Sequence, residues 1–181
     1  MAAVRRVVTA TDSDGRSYFL SDGEAGNVLE QPGRGLVFHE LWVTGGPLAS
    51  NESVADAAAG PVEHHPPPGG TRVRIVEFHP DDQHDTELVQ ADFEAIDAVH
   101  TQIDSDDPTM HRNDTVDYNI VLSGEIYACT DAGEVLLRPG DVLIQRGTNH
   151  TWRNRGTETC VFASVMVSAE PLPPPTGRSR H

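Results

Sequence analysis

Apolar and polar residues alternate in short runs along most of this chain, and turn-forming residues separate the runs. Arg5–Thr9 and Ser17–Leu20 flank Asp12-Ser13-Asp14-Gly15, which predicts a hairpin. Leu36–Val43, with Phe38, Leu41 and Trp42, and Thr71–Phe78, with Val73, Ile75 and Phe78, predict two longer strands. After Pro108 the runs follow closely: Thr115–Leu122, Glu125–Thr130, Glu134–Leu137, Val142–Gln145, His150–Arg153 and Cys160–Val167. Glycine-rich turns punctuate them, at Ser123-Gly124, Pro139-Gly140-Asp141 and Gly147-Thr148-Asn149 among others. One segment breaks the pattern. In Glu87–His100, the residues Leu88, Ala91, Ala95, Ile96 and Val99 recur at helical spacing, with acidic residues between them. Many short strands and one helix that does not alternate with them predict an all-β sandwich or barrel.

Strand parity places the chemistry. Residues two apart share a face, so His111, Asn113, Thr115, Asp117 and Asn119 point one way along a continuous strand. Arg112, Val116, Tyr118, Ile120 and Leu122 point the other way. A polar stripe inside a barrel must bind a ligand or hold water, because buried unpaired polar groups are costly. His150 heads the parity of a later strand that also contains Trp152 and Asn154. Two imidazoles and a carboxylate from neighbouring strands, His111, His150 and Asp117, match the two-histidine, one-carboxylate set of non-haem iron sites; Mn, Ni, Co and Zn are alternatives.

Composition narrows the partners. The 181 residues carry a formal charge of −15, which argues against nucleic acid and anionic membrane surfaces, both of which need clustered Lys and Arg. Residues 81–117 hold twelve Asp or Glu and one Arg, a pattern read first as a solvated face. No run of eighteen apolar residues and no secretory signal is visible. Cys129 and Cys160 lack metal-type spacing and read as small buried hydrophobes, so a reducing, cytoplasmic setting is the expectation. The Ala- and Pro-rich stretch Ala55–Gly70 and the tail at 169–181 read as loop or disorder, with His64-His65 as free imidazoles. Domain boundaries are expected at 1–80 (β extension packed on the barrel), 81–108 (acidic helical segment), 109–168 (core) and 169–181 (tail).

The two motif-bearing segments resemble the cupin superfamily. His111-x-Asn113, three residues, Asp117, six residues and Gly124 follow the spacing of the family's first motif; Asn113 stands for its second His, and Asp117 for its Glu. Gly140, Gly147, His150 and Asn154 follow the second, with Gln145 where the family often has Pro. The resemblance covers Met110 to about Val167. It implies a single-barrel, metal-binding jelly roll with an N-terminal β extension, and a ligand set of His111, Asp117 and His150, with Asn113 as a further candidate. It also implies a metal-dependent enzyme acting on a small oxygenated or aromatic metabolite, an Fe(II) oxygenase first. Alternatives are a decarboxylase, isomerase or cyclase, or a non-catalytic small-molecule-binding module.

Roles beyond the ligand set are open. Tyr118, Asn119 and Arg146 are candidates for acid, base or substrate clamp, and Trp152 and Asn119 for substrate contact. Asp141 reads as a turn residue bonding backbone N–H groups. The helix could cap the barrel mouth. A homodimer is expected through Phe38, Trp42 and the Thr71–Phe78 strand.

Overall fold

A computed structural model describes residues 3–46 and 48–173, so the expected dangling tail lies outside the described residues from 174 onward. The strands are β1 (Arg5–Thr11), β2 (Ser17–Glu24), β3 (Asn27–Gln31), β4 (Leu36–Thr44), β5 (Thr71–Phe78), β6 (Thr115–Ser123), β7 (Ile126–Thr130), β8 (Gly133–Leu137), β9 (Val142–Arg146), β10 (His150–Arg153) and β11 (Cys160–Ser168). All pairings are antiparallel. β1 and β2 form a separate hairpin. The main sheet runs β3-β4-β5-β11-β6-β9, and a smaller one runs β10-β7-β8. Strands β3 to β5 are therefore part of the barrel's own sheet, with β5 paired to β11, rather than a layer laid on its outside.

Register explains where the core ends and the site begins. One cross-strand row on the inner face is Phe38, Val76, Phe162 and Val121. The next is Glu40, Arg74, Ser164 and Asn119, and the next is Arg72, Met166, Asp117 and Gln145. The interior thus changes from apolar to polar over a single row. The apolar end packs Phe78 and Phe162 against Ile126, Ala128 and Leu137 of the smaller sheet. At the polar end Arg74 faces its cross-strand neighbour Glu40, with Nε and Oε1 2.6 Å apart, and Arg72 donates to Oε2 of the same carboxylate at 2.5 Å. Burying this much charge is tolerable only because the groups compensate one another.

Helical winding is shorter than the spacing predicts. Helix α1 spans Val89–Ala95, with single 3-10 turns at Thr86–Leu88 and Val99–Thr101. Its stop is a Schellman cap: Asp97 is left-handed (φ 54°), its N–H reaches Glu94 O, and Ala98 N–H reaches Phe93 O. The buried face also lies one position away from the expected one. Val89, Asp92, Phe93 and Ile96 are buried, whereas Leu88 and Val99 are exposed. A Phe contributes far more apolar area than two alanines, so the face containing Phe93 wins. Phe38 is buried within the chain and Trp42 is partly covered. Cys160 is buried, Cys129 is partly so, and both are free thiols. Among the described residues no helix is long and apolar enough to cross a membrane.

The position of the helix face is testable by denaturant unfolding. Phe93→Ala removes a ring with 0% exposure and should cost about 3–5 kcal/mol. Leu88→Ala, at 39% exposure, should change stability by about 0.5 kcal/mol or less. Equal losses would place the helix the other way round.

Candidate active site

His111 lies just before β6 and forms an isolated antiparallel bridge with His150, the first residue of β10. The two backbones exchange both bonds, His111 N–H to His150 O at 3.0 Å and His150 N–H to His111 O at 2.9 Å. Directly opposed residues share a face, and their ring centroids stand 4.3 Å apart. Each ring is then oriented the same way. Nδ1 of His111 donates to Thr109 O, and Nδ1 of His150 donates to Thr148 O, both at 2.9 Å. That bond fixes the Nδ1–H tautomer and leaves each Nε2 with a bare lone pair. Burial pushes His150 down to about 4 and His111 well below the ordinary imidazole value; the Arg34 charge lowers both further. Both rings are therefore neutral at pH 7.

They line a cavity of about 50 Å3, room for a few water-sized groups. The expected parity holds across the stripe: His111, Asn113, Thr115, Asp117 and Asn119 are all 4% exposed or less, although β6 itself begins only at Thr115. Asn113, Asp117 and Asn119 reach the cavity, as does Trp152 from β10. Burial raises the Asp117 carboxyl to about 6, with the nearby Thr115 hydroxyl and Arg74 guanidinium pulling it back only in part. Its Oδ1 has no hydrogen-bond partner.

Two expected residues fall outside. Tyr118 lies on the outer face of β6, 43% exposed, and Arg146 is exposed at the end of β9. Strand alternation sends both to solvent, so neither can serve a ligand in the cavity. Asp141 takes the expected turn role, accepting from Arg138 N–H at 2.8 Å. The helix does cover the site, because the Phe93 ring stands edge-on to His111 at 5.6 Å.

Two cavity residues come from segments that composition marks as loop. His64, expected as a free imidazole, is buried at 5% and lines the cavity. Its backbone N–H bonds to Ile96 O at 2.9 Å, and its Nε2 lies 2.7 Å from Asn113 Oδ1. The available signal was the alternation of Val62, His64 and Pro66, all buried, inside a stretch dominated by Ala, Pro and Gly. Arg34, in the β3–β4 turn, is the other, also buried and facing the cavity.

The donor chemistry of the histidine pair fits a divalent transition metal: neutral rings, free Nε2 atoms and Nδ1–H groups tied to carbonyls. Among the described residues no group of three His, Cys, Asp or Glu side chains stands close enough together to hold a metal ion. Asp117 shares the cavity with the pair without completing a three-ligand cluster.

A six-stranded and a three-stranded antiparallel sheet with paired histidines facing the interior between them define a β-barrel of the jelly-roll class. Comparison with known proteins agrees. The family model of the cupin domain matches residues 99–167. Oryzines biosynthesis cluster protein J of Aspergillus oryzae is 30% identical over 177 residues, covering 93% of this chain and 85% of that protein. Phomopsin biosynthesis cluster protein C′ of Diaporthe leptostromiformis is 49% identical over 65 residues, covering 35% and 34%, so the chain matches about a third of that relative's length. The cupin-domain-containing oxidoreductase fogC of Aspergillus ruber is 27% identical over 158 residues, covering 85% and 66%. The chain belongs to the cupin superfamily.

Burial of the histidines makes stability depend on pH. A ring whose folded value lies below its ordinary 6.5 resists protonation that the unfolded chain accepts, so stability falls as pH drops below 6.5. For His150 the loss reaches about 3 kcal/mol by pH 4, and His111 and His64 act in the same direction. Asp117 opposes them, regaining about 3 kcal/mol as pH falls through 6 toward 3.8. Three groups outweigh one. Chelator-treated protein should therefore melt at a lower temperature at pH 5 than at pH 7, and His150→Gln should flatten that dependence. An unchanged slope in the variant would contradict the neutral assignment.

Proposed function

We propose that this chain is a metal-dependent cupin enzyme, oxidoreductase in class, acting on a small oxygenated or aromatic metabolite held in the barrel. One observation carries the reading: two neutral imidazoles on opposed strands present free Nε2 atoms to one cavity. His111 and His150 would hold the ion, with iron the first choice and Mn, Ni, Co or Zn the alternatives. Such an ion, when bound, supplies Lewis acidity or single-electron chemistry at a substrate oxygen. The name of the Aspergillus ruber relative supports the oxidoreductase class.

The chain's own residues divide the remaining work. Trp152 packs at a tilt against Phe78 and Phe162, with ring centroids 5.7 and 5.0 Å away, and the three rings form an apolar wall that excludes water and suits a planar substrate. Asp117 can take or release a proton at its unpartnered Oδ1 near pH 6, within the range useful to a general acid or base. Asn119 offers an amide from the same strand to orient a polar group. A second reading, a binding module without turnover, draws on the missing third protein ligand, because two imidazoles hold a metal less firmly than three donors.

Elemental analysis of protein purified without a chelating resin separates the two. About one equivalent of a transition metal is expected, and His111→Ala or His150→Ala should each abolish it. Tyr118→Phe and Arg146→Gln should leave it unchanged. Less than about a tenth of an equivalent, with no gain on reconstitution, would contradict the enzyme reading and leave the binding module.

A further inference from the structure

Three arginines are buried near the cavity, and they differ in how their charge is met. Arg72 and Arg74 share the Glu40 carboxylate, and Arg74 also donates to Glu63 O at 2.7 Å and lies over the Phe38 ring. Arg34 has no such partner: among the described residues no carboxylate lies within ion-pair distance of its guanidinium. Its one side-chain bond is a long contact of 3.4 Å from Nη1 to Gln31 Oε1. The neighbouring acid, Asp92, spends Oδ2 on the backbone N–H of Arg34 at 2.8 Å. The Asp92 charge still acts on the guanidinium, but no carboxylate touches it, and a buried cation with so few direct partners is placed to take an anion as a ligand.

The turn that carries Arg34 is held rigidly. A side chain at Gly33 would sit 2.4 Å from the Leu88 and Val89 backbone, and one at Gly35, which is left-handed at φ 61°, would meet the His84 ring at 2.2 Å. Two glycines thus let the turn press against the start of α1, and the Asp92 bond pins it there. The guanidinium carbon lies over the Phe93 ring, 4.4 Å from its centroid. With the ring on one side, the N–H groups, of which only Nη1 has a hydrogen-bond contact among the described residues, are left to meet a ligand.

We propose that Arg34 is the substrate's anchor and that the substrate carries a carboxylate, which Arg34 grips edge-on while the rest of the molecule extends toward His111 and His150. A planar carboxylate matches the guanidinium fork in two parallel bonds and carries a single charge, as one unpaired cation lining the cavity calls for. The inference rests on the cavity being the active site. Burial lowers Arg34 only to about 10, so the guanidinium stays charged at neutral pH. The same role was open to Arg146 from sequence, and the exposed position of that residue removes it.

Titration calorimetry on the whole chain tests the anchor, with acetate, propanoate and benzoate as probes, the matching amides as neutral isosteres, and inorganic phosphate and sulfate as competing anions. Wild type should bind at least one acid about tenfold or more tightly than its amide. Arg34→Met, which keeps a stem on Phe93, should erase that preference, and Arg34→Lys should restore only part of it. Metal content measured on the same samples keeps the two readings apart. Normal metal with no acid preference, or with acid binding equal in Arg34→Met and wild type, overturns the anchor alone. No metal in wild type overturns the enzyme reading, whereas an Arg34-dependent acid preference would still support the anchor. Phosphate or sulfate binding more tightly than every carboxylate overturns the carboxylate assignment. Should Arg34→Met fail to fold by circular dichroism, the acid-to-amide ratio in wild type and Arg34→Lys decides.

Discussion

The site depends on one pair of backbone hydrogen bonds. Where His111 and His150 exchange N–H and C=O, two chain segments far apart in sequence are fixed in register. Register decides which face a side chain occupies, and a slip of one residue would turn both rings away from the cavity. The second constraint repeats the first on a smaller scale. Each imidazole donates Nδ1–H to the carbonyl two residues before it, Thr109 or Thr148, so neither ring is free to choose the other tautomer. From these four bonds follow the neutral rings, the exposed lone pairs and the spacing at which a ligand can meet both.

The rest of the barrel interior tunes that pair by position. Cross-strand rows carry apolar residues as far as Phe162 and Val121 and polar ones from Ser164 and Asn119 onward, so the cavity lies on the boundary. An apolar wall on one side strengthens electrostatic interactions on the other by excluding water. Asp117 is raised and the histidines are lowered by the same burial, which brings all of them toward the uncharged form. Arg34 stays charged at neutral pH and brings a cation to the cavity, although the chain as a whole carries −15.

Much of this was legible in the sequence because strand parity is a strict rule. The stripe from His111 to Asn119 could be assigned to one face by counting in twos, and the turn spacing added His150. What escaped has physical reasons. His64 alternates with Val62 and Pro66, but three residues of alternation in a Pro- and Ala-rich stretch do not stand out from a loop. Arg34 lies in a glycine turn, where an arginine ordinarily reaches water, and only the packing of that turn against α1 turns it inward. The helix stop was hidden because Asp97, not a glycine, takes the left-handed cap position. The helix face was misplaced because periodicity gives Ala91 and Ala95 the same weight as Phe93. Strand β3, five residues with two polar ends, carries too little pattern to be read without its partner β4.

Nitrogen-15 NMR of the imidazoles in chelator-treated protein at pH 7 addresses the central claim most directly. Neutral rings are expected at residues 111 and 150, each with its proton on Nδ1 and a bare Nε2. Either ring found protonated on both nitrogens, or carrying its single proton on Nε2, would contradict the claim.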